Sequence, residues 1–148
     1  MNCNRIPVYK RAMNTESAIA KKLRHASLRP TQQRLALAKV LFEGCDKHVS
    51  AESLHEDAMK AGISVSLATV YNTLHQFKAA GLLREVAIEG VRSYYDTNTS
   101  NHFHFFNEED GELYDIEPRD LKITGLPNLP KGQEIDRIDV IVRLKNKV

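Results

Sequence analysis

The chain has 148 residues, of which 42% are hydrophobic and 27% charged, and a formal net charge of +2. That balance belongs to an ordinary globular protein of one domain or two small ones, and it excludes disordered, fibrous and bilayer-spanning classes. Two cysteines, Cys3 and Cys45, with no C-x-x-C spacing, exclude a disulfide scaffold and a thiolate zinc cage, and leave both as free thiols.

No apolar run approaches the length needed to cross a bilayer, and the N-terminal stretch MNCNRIPVYKRAMN lacks the apolar core of a secretory signal. The expected compartment is the cytoplasm, with no membrane partner. The small net charge hides an asymmetry. Residues 1–50 carry 10 Lys/Arg against 3 Asp/Glu, residues 51–100 carry 4 against 6, and residues 101–148 carry 7 against 10. A basic first third on an otherwise acidic chain points to a nucleic-acid-facing region near the N-terminus, although solvated basic helix faces are common.

In chain order, a first helix is expected over ESAIAKKLRHA. A second follows in LRPTQQRLALAKVLFEG, with Thr31 as N-cap and Leu37, Val40, Leu41 and Gly44 at helical spacing. A third begins after Ser50, with Leu54, Ala58 and Ala61 on one side and Gly62 as its stop. The fourth begins at Ser66, has a buried stripe of Leu67, Val70, Leu74 and Phe77, and ends at Gly81. Only GISV separates the third from the fourth, a helix-turn-helix spacing. The opposite side of the fourth helix carries Ser66, Thr69, Asn72, Thr73 and Gln76, short uncharged groups suited to base edges and phosphates. Tyr71 lies at its flank, with a hydroxyl in reach of a phosphate or a base, and Arg24 and Arg34 are candidate phosphate contacts. An ordinary wet helix surface would look similar; the preceding turn and the basic third favour a recognition helix.

Two strands, LLREVAI and VRSYYDT, follow around a tight connection at Gly90. Helices followed by a two-stranded hairpin make a winged helix, with Arg84 and Arg92 on the wing. Beyond it, HFHFF and ELYDI read as short strands joined by the acidic turn NEEDG, and EIDRIDVIVRL reads as a longer strand. Pro118, Pro127 and Pro130 restrict any helix between them to a short one. The fold class is therefore α+β: a winged helix-turn-helix domain over residues 1–97 and a small α/β domain over 98–148. So few strands with so little helix leave edges exposed, which makes pairing with a second copy the economical solution. In TNTSNHFHFF, His102 and His104 share one strand face and Phe103 and Phe105 the other. Two imidazoles on one face can converge on a metal ion or haem, or can be plain surface residues.

The runs RPTQQRLALAKVLFE, HVSAESLHE and SLATVYNTLHQFKAAGLL, followed by the H-x-H strand, closely resemble the ferric uptake regulator family from about residue 20 to the end. YYDTNTS leading into H-x-H-F-F, with LYDIEP after it, is similar to the iron response regulator branch of the alphaproteobacteria. The resemblance implies a dimeric, metal-dependent DNA-binding regulator, mainly a repressor, acting on iron homeostasis and haem synthesis genes. It implies a metal set of His48, Asp96, His102, His104 and Asp115 for a divalent iron, manganese or zinc ion. Haem is the alternative ligand, with His102 and His104 as its candidates and a haem-delivering enzyme as a candidate partner. Haem iron takes histidine axial ligands, but two neighbouring same-face histidines cannot be trans to each other on one iron.

The departures from the family pattern are specific. Asn107 and Asp110 stand where a C-x-x-C zinc pair is expected, Asn101 and Phe103 stand where a second site needs ligands, and neither cysteine precedes a proline as in the branch's haem motif. No nucleotide loop or nucleophile motif suggests an enzyme. The rival reading is a winged-helix repressor without a metal site, controlled by its abundance or by a partner protein. A zinc- or peroxide-sensing relative is a third reading.

Overall fold

The computed structural model describes residues 15–148, and the chain divides after Thr99 into two compact units. Cys3 lies outside the described residues. The first unit contains α1 (Thr15–His25), α2 (Gln32–Phe42), β1 (His48–Val49), α3 (Ala51–Lys60), α4 (Leu67–Ala79), β2 (Arg84–Val86) and β3 (Tyr94–Asp96).

Hydroxyl caps set the starts of three helices. Thr31 Oγ1 accepts from the Arg34 amide at 3.3 Å, and Ser66 Oγ from the Thr69 amide at 3.1 Å. At α3 the capping is reciprocal: Ser50 Oγ accepts from the Ser53 amide (3.1 Å) and Ser53 Oγ from the Ser50 amide (2.9 Å). A Schellman turn closes α3 and α4, with Ile63 N donating to Ala58 O and Leu82 N to Phe77 O, both at 2.9 Å. The turn needs a left-handed residue, supplied by Gly62 at φ +77° and Gly81 at φ +78°. Ser50→Ala removes one partner from a buried cap, so it should destabilise the protein by about 1 kcal/mol. Urea unfolding of the variant against wild type reads that difference as a shift in midpoint at unchanged slope.

The core of this unit is formed by Leu23, Leu37, Leu41, Leu54, Ala58, Val70, Leu74 and Phe77, all fully buried. The stripe expected on the fourth helix needs one change. Thr73 is buried at 5% exposure while Leu67, at the first helical position, is 37% exposed. Thr73 sits three residues after Val70, on the core side, and satisfies its hydroxyl locally by donating to Thr69 O at 2.8 Å.

The expected hairpin is a three-stranded sheet of order β1-β3-β2. Its two predicted strands shrink to three residues each, and residues 87–93 form a loop turned by the Val91 N to Ile88 O bond. The added strand, β1, pairs antiparallel with β3 in a register that sets His48 opposite Asp96.

The second unit is a sheet of order β5-β4-β6, from β4 (Phe103–Asn107), β5 (Leu113–Ile116) and β6 (Ile141–Leu144), with a short 3-10 turn at Pro118–Asp120. β5 runs antiparallel and β6 parallel to β4. The third strand is shorter than the sequence pattern suggests. Its partner β4 has five residues, and the ladder already runs from His104↔Ile141 to Asn107↔Leu144, so residues 134–140 have little left to pair with. His104 and Phe106 are buried on one face of β4, with Phe103 and Phe105 half-buried on the other. That second face continues through Tyr114 and Val142, the neighbours of Phe105. It is an apolar surface only partly covered within one chain.

Candidate functional site

In the first unit the β1–β3 register brings His48 Nε2 to 3.1 Å from Asp96 Oδ2. The Asp96 side chain is 1% exposed, and its other oxygen accepts the Asn98 amide at 2.9 Å. A buried carboxylate beside an imidazole is stable only when its charge is matched, by a proton on the ring or by a cation.

In the second unit the β4–β5 register sets His104 opposite Asp115. Asp115 Oδ1 lies 3.3 Å from His102 Nε2 and 3.6 Å from His104 Nε2, and the two rings meet edge to face at 4.5 Å between centroids. His102 precedes the strand, yet it shares the face of His104 as the i, i+2 spacing predicts. Its Nδ1 lies 2.8 Å from the Ser100 carbonyl oxygen, which can only accept, so Nδ1 carries the proton. Its Nε2 faces a carboxylate oxygen, a pairing matched by a second proton on the ring or by a cation between the two. A ring whose far nitrogen is fixed by a backbone carbonyl is the arrangement typical of metal-ligating histidine. His102, His104 and Asp115 offer ligand atoms within 4.8 Å of one another. Nitrogen and oxygen donors of this kind fit a borderline divalent ion such as iron, manganese or zinc.

Asn107 and Asp110, where the family resemblance leads one to expect a cysteine pair, bond to each other and to the turn. Asn107 Nδ2 donates to Asp110 Oδ2 at 3.1 Å, and Asn107 Oδ1 and Asp110 Oδ1 accept the Glu109 and Glu112 amides at 3.0 and 2.9 Å. Side-chain hydrogen bonds thus hold the turn between β4 and β5 without thiolates. Cys45 is disulfide-bonded, so it is not the free thiol the sequence suggested.

On the prospective DNA face, Tyr71, Asn72 and Gln76 are exposed on α4 and Arg24 is exposed on α1. Ser66 and Thr69 are engaged in the N-cap, where their hydroxyls lie 2.9 Å apart. The buried Thr73 leaves the face, because its hydroxyl is already spent on the helix backbone. Arg34 is held in place, with Nε and Nη2 donating to Gln76 Oε1 (3.1 and 3.0 Å) and Nη1 to Arg29 O (2.9 Å). Glu52 was not expected here. Its Oε1 accepts from the Tyr71 hydroxyl at 2.8 Å, and its Oε2 is 3.6 Å from Arg92 on the wing loop. The only trace in the sequence is an acidic residue in the first turn of the preceding helix, a place where carboxylates are common for local reasons.

The model of the ferric uptake regulator family matches residues 25–135. The chain belongs to this family. Its members are transcriptional regulators, not enzymes, and they bind operator DNA as dimers. The chain is 33% identical over 102 residues to the peroxide-responsive repressor PerR of Staphylococcus aureus, covering 69% of this chain and 68% of that protein. It is similar to the ferric uptake regulator of Pseudomonas aeruginosa solved with manganese, at 26% identity and a TM-score of 0.65, covering 86% of this chain and 97% of that one. The Vibrio cholerae ferric uptake regulator shares the fold at 23% identity and a TM-score of 0.69, covering 86% and 98%. The α+β class, a DNA-binding domain followed by an α/β dimerisation domain, is that of these relatives. Among the described residues no helix is long and apolar enough to cross a membrane.

Proposed function

We propose that this member of the ferric uptake regulator family is an iron-responsive repressor of the iron response regulator branch, controlling iron homeostasis and haem synthesis genes. One divalent ion takes His48 and Asp96 from the winged helix and His102, His104 and Asp115 from the dimerisation domain. The observation that supports the reading is the convergence of His102 and His104 on Asp115, with the His102 ring oriented by the hydrogen bond from its Nδ1 to the Ser100 carbonyl. The connection between the two ligand groups is short, residues 97–101, and both groups offer the same nitrogen and oxygen chemistry. When bound, the ion would supply positive charge beside the buried Asp96 and the partly buried Asp115, and would restrain the winged helix relative to the dimerisation domain. The protein is a homodimer through residues 98–148, with the half-covered face of Phe103, Phe105, Tyr114 and Val142 as its apolar surface.

DNA binding rests on Arg24 and Arg34 for phosphates and on Ser66, Thr69, Tyr71, Asn72 and Gln76 of α4 in the major groove. The test is operator affinity of the full chain as apo protein and with ferrous ion, manganous ion or haem. A metal-dependent change of tenfold or more supports the sensor; identical affinities in all four states favour a repressor without a metal site. In the same assay Tyr71→Ala should weaken operator binding by about tenfold or more and non-specific binding little. Arg34→Ala should weaken both and flatten the salt dependence. An unchanged operator affinity for Tyr71→Ala would remove α4 as the recognition helix.

The similarity to PerR favours a second reading, in which the metal-loaded protein responds to peroxide. Hydrogen peroxide added to the iron-loaded and manganese-loaded complexes distinguishes it: release of DNA from the iron form alone supports peroxide sensing.

A further inference from the structure

The recognition helix carries a tyrosine whose hydroxyl proton is already committed. Tyr71, 38% exposed, donates to Glu52 Oε1 at 2.8 Å. Glu52 accepts the tyrosine proton on Oε1, while its Oε2 is buried without a hydrogen-bond partner. A hydrogen bond from its own backbone amide, then that from Tyr71, holds its carboxyl below the ordinary value despite partial burial, with Arg92 adding to the effect. The same contact pushes the Tyr71 phenol upward, so at neutral pH the tyrosine keeps its proton and the glutamate lacks one. Arg92 faces the other carboxylate oxygen at 3.6 Å and balances its charge, so the cluster joins the start of α3, the flank of α4 and the wing loop.

A tyrosine hydroxyl ordinarily donates or accepts as its partner requires. Here the donor is taken, and only lone pairs face outward. Phosphate oxygens and the major-groove groups N7, O6 and O4 are acceptors, so none can bond to it. The major-groove donors are adenine N6 and cytosine N4.

We propose that Glu52 is a positioning residue for sequence readout: by holding the Tyr71 proton it makes Tyr71 an acceptor that selects a base bearing an exocyclic amino group, adenine or cytosine, at one position of each half-site. This rests on α4 being the recognition helix. It assigns Tyr71 to a base edge and removes it from the phosphate contacts.

The experiment uses the full-length protein and an operator that it selects from random duplex DNA. Each adenine is replaced in turn by purine, which lacks the N6 amino group, and each cytosine by 2-pyrimidinone, which lacks the N4 amino group. Wild type should lose about 3- to 10-fold in affinity at one position per half-site, as expected for one hydrogen bond. Tyr71→Phe should show no loss from the analogue at that position. Glu52→Ala, with the tyrosine intact but its proton released, should lose the same discrimination while keeping its non-specific DNA affinity. If Glu52→Ala also loses non-specific affinity through misfolding, the Tyr71→Phe comparison decides alone. Analogue profiles identical in wild type and Tyr71→Phe overturn the proposal, as does a folded Glu52→Ala protein with undiminished discrimination. Failure of the wild type to select any operator would instead overturn the DNA-binding reading itself.

Discussion

Replacing His102 and His104 together by alanine should yield a protein whose operator affinity no longer responds to ferrous or manganous ion. The two imidazoles supply the nitrogen donors of the second unit, and Asp115 lies within 3.6 Å of both. Without them the proposed set keeps a single imidazole, His48, with the carboxylates of Asp96 and Asp115, which hold a borderline ion more weakly and less selectively. A response of tenfold or more in the wild type should fall to within twofold in the double variant, measured by titrating operator DNA with and without each ion. The dimer should survive, because Phe103, Phe105 and Val142 occupy the opposite face of the sheet. Sedimentation of the full-length variant at twice its 16.8 kDa chain mass would show that. A metal response that persists would move the sensing site elsewhere.

Phe77→Ala should be the most damaging single substitution in the winged helix, destabilising it by about 3–5 kcal/mol. The ring is fully buried on α4 and packs against Phe42 of α2 at 6.0 Å between centroids. Truncation removes the transfer energy of the ring and leaves a cavity that neighbouring helices, fixed by their caps, fill only in part. That loss is comparable with the whole stability of many domains. Chemical unfolding should show a much lower midpoint, and operator binding should fail at temperatures where the wild type is intact. A loss below about 1 kcal/mol would mean that the core of α2 and α4 collapses onto the vacancy.

The helices were legible in the sequence because their determinants are local. Thr31, Ser50 and Ser66 cap the amides three residues on, and Gly62 and Gly81 close α3 and α4, all within one helical turn of the chain. The i, i+2 spacing of His102 and His104 likewise placed both rings on one face, and the run of matched motifs identified the family. Strand lengths were less legible. β6 is cut to Ile141–Leu144 by the length of the strand it pairs with, which nothing in EIDRIDVIVRL encodes.

What the sequence alone determined is therefore the set of capped helices, the order of the two units and the pair of histidines that share a face. Tertiary structure decided which side chains those residues meet. Thr73 reads as a polar surface residue by composition, but three residues after Val70 it lies on the buried stripe and turns its hydroxyl to the backbone. The pairing of His48 with Asp96 depends on β1 lying antiparallel to β3, and that of His104 with Asp115 on the register between β4 and β5. Glu52 meets Tyr71 only because α3 packs against α4. The His48–Asp96, His104–Asp115 and Glu52–Tyr71 contacts each join different elements, so their geometry is set by the packing of whole elements and not by any pattern within one of them.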